Sequence, residues 1–321
     1  MSFLAILVAL ALEQWRAFAW RTSVEFAFVR YARWIERRWN GGTVQHGWFA
    51  LFAAIIPPVV IIEGAFVAAW LVHPLLGIVV KIIVLYFMMG FRRFSHAVSA
   101  IVNALKANDL VEARRALAAW RGGGGVSELS SEDVARLAIE RGLVDAYRQV
   151  FAVMFWFVIL PGPAGAVLYR AAALLAEEWG TAAPGIEPTP HTRAREEFGR
   201  PARQLLALLD WVPVRLTALS FAIVGDFEDA VACWRTQAQS WKVQDGGVAI
   251  GILLASGGGA LGVQLGGPLP VLVGDPDVRT ELGTGEPATP DMLPSAVGLV
   301  WRALILWLLL ILLITVANVA P

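Results

Sequence analysis

The sequence predicts an all-α polytopic integral membrane protein, with broken or re-entrant helices in its apolar zone and a small cytoplasmic helical hairpin. Three observations carry this expectation. Hydrophobic residues make up 57% of the 321 and charged residues 16%, whereas a soluble domain carries about 25% charged residues. Apolar runs are interrupted by proline at Pro57-Pro58 and at Pro161-Gly162-Pro163. Residues 246–274 hold ten glycines and no charge, a composition suited to close backbone packing beside a polar chamber rather than to a lipid-facing span.

The same composition excludes several classes. A formal net charge of zero leaves no electrostatic footprint for nucleic acid. The single cysteine, Cys233, rules out an internal disulfide and a Cys-rich metal site. His46, His73, His96 and His191 are too far apart in sequence to suggest a metal centre, and no cofactor is evident. The arginines fall in loops and at helix ends, as positive-inside topology requires. The expected setting is therefore the bacterial inner membrane, crossed several times, with the lipid bilayer as partner.

Taken in order, residues 2–12 are apolar but lack a basic n-region and a cleavage site before Glu13, and so read as a retained helix continuing through Trp15. Eleven residues are short for a span. Between Glu13 and His46, six arginines mix with Trp15, Trp20, Trp34 and Trp39, the composition of an interfacial segment on the cytoplasmic side. Residues 47–72 form a span whose one charge is Glu63 and which Pro57-Pro58 breaks. After a turn at His73-Pro74, residues 75–91 return with Lys81 inside the span and end at Arg92-Arg93. Glu63 and Lys81 invite a buried ion pair, functional or structural, with a snorkelling lysine as the other reading.

Residues 94–148 read as a cytoplasmic helical insertion within one membrane domain spanning 1–321, because nine Lys and Arg lie between Arg92 and Arg148. Asp109-x-x-Glu112 and Ser130-x-x-Asp133 are helix-start signals inside it. Residues 150–176 are long enough to span, but Pro161-Gly162-Pro163 cuts them, which favours re-entry over crossing. Residues 177–204 read as a polar loop with four arginines, and residues 205–224 as an apolar stretch holding Asp210, Pro213 and Arg215. Charges at that depth belong in the bundle interior. Residues 226–245 read as a polar helix, 275–295 as an acidic loop without periodicity, and 296–319 as the clearest span, anchored by Arg302.

No nucleophile elbow, Walker loop, Rossmann fingerprint or zinc motif occurs. Within the glycine run only Ser256 and Gln264 offer side-chain hydrogen bonds, enough to line a cavity but not for acid–base work. Gly258, Gly259 and Gly262 are expected to let the segment 211–216, WVPVRL, approach closely. The candidate ligand-contacting residues are Tyr169, Arg170, Asp210 and Arg215 in the interrupted apolar segments, with Ser256, Gly258, Gly259, Gln264, Gly266 and Gly267 in the glycine run. No catalytic residue is assigned.

Four stretches resemble the CbiB/CobD family of membrane proteins, which join an aminopropanol arm to a corrinoid in cobalamin synthesis, and its relative AmpE. They are Phe155-Trp156 through Pro163-Ala164-Gly165-Ala166 to Tyr169-Arg170; Phe198-Gly199 followed by WVPVRL; GALGVQLGGP at 259–268; and, more weakly, ANDLVEARRA at 107–116. Spread in family order over residues 75–310, they imply a whole shared fold. The chain departs from the synthases where N-T-L-D becomes Ala173-Leu174-Leu175-Ala176, where a pair of acids becomes Leu206-Ala207, and where an Asn becomes Asp210. These losses resemble the AmpE-like branch. They imply a non-catalytic binding or signalling protein whose partner is a corrinoid, a cell-wall fragment or another membrane protein. The alternative is a divergent adenosylcobinamide-phosphate synthase using ATP and magnesium. A transporter, the third class, is disfavoured by the lack of an internal repeat.

Overall fold

The computed structural model describes residues 2–15, 20–122, 126–179, 190–241, 247–268 and 279–317. In chain order its helices are α1 (Ser2–Trp15), α2 (Trp20–Trp39), α3 (Val44–Val72), α4 (Pro74–Met88), α5 (Phe91–Lys106), α6 (Leu110–Arg121), α7 (Ser131–Ala146), α8 (Ala152–Ile159), α9 (Ala164–Glu178), α10 (Pro190–Val224), α11 (Phe227–Gln237), α12 (Gly247–Leu261) and α13 (Leu293–Ala317). Strands β1 (Val263–Gly266), β2 (Glu281–Gly283) and β3 (Glu286–Pro287) lie between the last two helices. The protein is thus an all-α membrane protein with a very small sheet. Helical stretches Val44–Val72, Ser131–Ile159, Thr192–Val224 and Pro290–Ala317 are long and apolar enough to cross a membrane. The chain divides into two compact units: unit 1 is Met1–Met89 with Arg148–Trp211, and unit 2 is Gly90–Tyr147 with Val212–Pro321.

In unit 1, α3 packs on α2, α4 and α9, and α8 packs on α9. One residue makes the corner between α3 and α4. His73 ends α3 by donating its backbone N–H to Ala69 O, and starts α4 by accepting the Leu75 N–H on Nδ1 at 3.2 Å. Pro74 then occupies the first helical position, where a missing N–H is harmless. The expected break at Pro57-Pro58 does not occur, and α3 runs through both prolines. Each proline forfeits one backbone bond, and the other bonds of a 29-residue helix hold it in register.

Pro161-Gly162-Pro163 does end α8, and Gly162 takes a φ of +71°. The first N–H of α9, at Ala164, is received by Glu63 Oε2 at 3.3 Å. Glu63 therefore caps a helix and makes no ion pair with Lys81, whose Nζ lies 5.0 Å from the Phe66 ring centre and 5.9 Å from that of Phe157. The polar loop expected at 177–204 is also corrected. Helix α9 reaches Glu178 and α10 begins at Pro190, because Arg193 to Gln204 has strong helix formers and proline at its start; residues 180–189 lie outside the described residues.

In unit 2 the two predicted helix starts hold. Asp109 accepts the Glu112 N–H at 2.9 Å, and Ser130 with Asp133 forms a full capping box. Helix α12 packs on α11, α7 and β2. The region expected as an acidic loop contains β2 and β3, which flank β1 in the order β2-β1-β3, antiparallel on one side and parallel on the other. Strands this short show no alternation, so pairing with the end of the glycine run, rather than local pattern, creates them.

Candidate functional site

The predicted residues fall into two groups. In unit 1, α9 presents neighbouring side chains to different partners. Fully buried Tyr169 donates its phenol to Asp210 Oδ1 at 2.8 Å, and Asp210 is 3% exposed. Arg170, one position on, points Nη2 at Glu25 Oε1 of α2 at 2.6 Å. A hydroxyl donated to a buried carboxylate offsets its desolvation and fixes its rotamer. The Trp156 indole adds a bond to the Leu209 carbonyl at 3.2 Å, next to Asp210. Tyr169 and Asp210 are thus brought together as proposed site residues. Arg215 belongs to unit 2 and is half-buried.

In unit 2 the glycine run serves close packing, with partners other than those expected. A Cβ at Gly259 would lie 2.5 Å from Asp229 O and 2.8 Å from Ala230 Cα, so this glycine admits α11 rather than WVPVRL. Gly258 meets Gly283 Cα, 2.9 Å from the position of an added Cβ. Gly262 has open space around it and a φ of +66°, so it ends α12 by conformation and not by close approach. Ser256, fully buried, donates to Ala218 O of α10 at 2.8 Å.

Beyond α12, the signature residues border a small cleft of about 80 Å³. Gln264 and Gly266 line it together with Glu132, Asp133, Arg136 and Glu281. Gly267, next in the chain, does not line the cleft; it donates to Thr280 O at 3.2 Å, with Arg136 Nη1 3.0 Å from where its Cβ would sit. The strand is held from beneath by an ion pair that sequence reasoning missed. Glu140 accepts the Gly266 N–H at 2.7 Å and both Arg279 Nη groups at 2.8 and 3.2 Å, and both side chains are 8% exposed. Arg279 also stacks over Trp241, 5.5 Å from the ring centre. One signal was available: Glu140 falls beside Leu137 and Val144 on the apolar stripe of α7, where an acid needs a partner. Arg279 gave none.

Among the described residues no three His, Cys, Asp or Glu side chains converge as metal ligands. The single thiol is buried in α11, and burial, then the charge of Asp229, pushes the Cys233 thiol above its usual value.

Comparison with known proteins gives a consistent result. The family model described as CobD/Cbib protein matches residues 4–300. A Stutzerimonas stutzeri protein named cobalamin biosynthesis protein CobD is 35% identical over 317 residues, covering 97% of each chain. A Chromobacterium violaceum protein of that name is 36% identical over 242 residues, covering 75% of this chain and 72% of the relative. The Rhodobacter capsulatus protein of that name is 28% identical over 238 residues, covering 73% and 70%. No solved structure matches. These names favour cobalamin biosynthesis over the AmpE-like branch that the missing acids suggested.

Proposed function

Because the chain belongs to the CobD/CbiB family, we propose that it is a multi-pass inner-membrane protein of cobalamin biosynthesis. In this reading it is a divergent adenosylcobinamide-phosphate synthase, attaching aminopropanol phosphate to adenosylcobyric acid at the expense of ATP. The observation that carries this is the 35% identity to the Stutzerimonas stutzeri protein over 97% of both chains. A match of that extent outweighs the substitutions at Leu206-Ala207, which lie in one turn of α10.

Forming an amide from a carboxylate requires the departing oxygen to be activated, and ATP supplies that activation when bound. Magnesium carried on nucleotide phosphates needs only one or two protein carboxylates, not a three-ligand cage. What the chain itself offers is fixed polar geometry: a buried carboxylate held by Tyr169, and a cleft bordered by Gly266, whose N–H is held by the Glu140–Arg279 pair.

The test is complementation of a strain lacking its synthase, paired with assay of purified protein on ATP, magnesium, the corrinoid acid and aminopropanol phosphate. Growth and amide product are expected. A well-expressed, membrane-inserted protein that gives neither would overturn the reading and return the chain to a binding role.

A further inference from the structure

Unit 1 contains an open polar cleft of about 850 Å³ that lies outside the residues singled out above. Arg33, Glu36 and Arg37 of α2 line it with Glu178 of α9, Arg195 of α10 and the turn at Asn40 to Gly42. We infer that this cleft binds phosphate groups, carried either on a phosphorylated small molecule or on a lipid head. The inference stands on the cleft alone and requires no corrinoid chemistry.

The charges are arranged in two layers. Glu178 Oε1 holds Arg33 Nε at 2.6 Å, and Glu36 Oε1 holds Arg195 Nε at 3.1 Å while Arg195 Nη2 donates to the Glu178 carbonyl at 3.0 Å. Those bonds use one or two of the five N–H donors on each guanidinium. The remaining donors are oriented but unspent on carboxylate. Arg37 makes no ion pair with any described residue. Three guanidinium groups therefore face two carboxylates already engaged, and the unbalanced charge is that of Arg37.

A planar guanidinium fork matches phosphate oxygens two at a time, which a lysine cannot do. The turn adds a second contribution. Gly42, at a φ of +69°, brings the chain into Thr43 and the start of 29-residue α3, so the positive end of a long helix follows directly on the cleft wall. The size is ample for a diphosphate or triphosphate, or for a head group. Trp34 and Trp39 on α2 are 58% and 42% exposed, as interfacial anchors are, which brings lipid phosphates within reach. The cleft of unit 2 has the opposite charge balance, with Glu132, Asp133 and Glu281 against one arginine in about a tenth of the space.

The full chain, purified in detergent and in nanodiscs, provides both arms of the test. Inorganic tripolyphosphate is titrated calorimetrically into the detergent sample, and melting is compared between phosphatidylglycerol and phosphatidylcholine nanodiscs. Arg37→Ala is the variant of choice because it breaks no ion pair, and Arg115→Ala, on an exposed arginine of unit 2 that lines neither cleft, is the control. Tripolyphosphate binding weakened about tenfold or more by Arg37→Ala, with Arg115→Ala unchanged, supports a free phosphorylated ligand. Stabilisation by phosphatidylglycerol that Arg37→Ala abolishes supports a lipid head group. Absence of both responses in the wild-type protein, or equal responses in wild type and Arg37→Ala, overturns the inference.

Discussion

Tyr169 and Asp210 form the most deeply buried polar pair among the predicted residues, and the pair makes a graded prediction. Tyr169→Phe removes the donor and leaves a buried carboxylate short of a bond, a loss of about 1 to 3 kcal/mol in stability. Asp210→Asn keeps an acceptor oxygen for the same hydroxyl and, restoring the residue of the synthase pattern, should lose less. Equal losses in denaturant titrations would mean the bond contributes nothing. The pair of Glu140 and Arg279 is more exposed to disruption, because removing one partner of a buried ion pair leaves a charge behind, at about 3 to 5 kcal/mol. Glu140→Gln should accordingly melt well below wild type, and Glu132→Gln, on an exposed acid of the same unit, should not. Cys233 makes a third prediction at this scale. With its thiol pushed above the usual value, the thiolate fraction near pH 8 is small, so iodoacetamide should label the folded protein far more slowly than the protein unfolded in detergent and denaturant. Equal rates would show that the site is open.

At the scale of elements, local signals were read well and distant partnerships were not. The start of α6 at Asp109, the capping box at Ser130 and the end of α8 at Pro161 all rest on residues within four positions of one another. The acceptor for α9 is Glu63, 101 residues away, and no local pattern announces it. Glu63→Ala should destabilise by about 0.5 to 2 kcal/mol, as loss of a cap does, whereas Glu63→Gln, which still offers an oxygen, should retain most of that. The glycine run was recognised as a packing surface, yet its partner proved to be α11 because only the folded chain brings Ala230 to Gly259. Gly259→Leu therefore drives side-chain atoms into backbone, an overpacking loss of about 1 to 3 kcal/mol or more. Gly298 in α13 has nothing within 4 Å of an added Cβ, so Gly298→Leu is the matched control. Equal melting temperatures of the two variants would refute the packing role.

For the whole molecule, composition sufficed for the all-α membrane class, and the four motifs sufficed for the family. The choice of branch within that family was read from a handful of missing polar residues, and the comparisons back the alternative better; the loss of a side chain at one position says nothing of groups present elsewhere. Glu140, Arg279 and the arginines around Glu178 are polar groups outside the motifs that carry the resemblance. Topology remains to be measured. With Cys233→Ala as background, Ser127→Cys, on an exposed turn before α7, should resist an impermeant maleimide in intact cells and react after the inner membrane is opened. Ready labelling of intact cells would invert the assigned orientation.

The corner at His73 acts as a ruler. Helix α3 leaves it with 29 residues and α4 with 15, lengths of about 43 Å and about 22 Å at 1.5 Å per residue. Both start from one residue, and a hydrocarbon core measures about 30 Å, so a corner at the outer surface lets α3 pass right through while α4 stops short of the far side. The stopping point, Met89, is fully buried and its N–H is still held by Leu85 O. With the corner so placed, the chain would leave the helix at a depth where lipid could not satisfy its backbone, and protein would have to stand there instead.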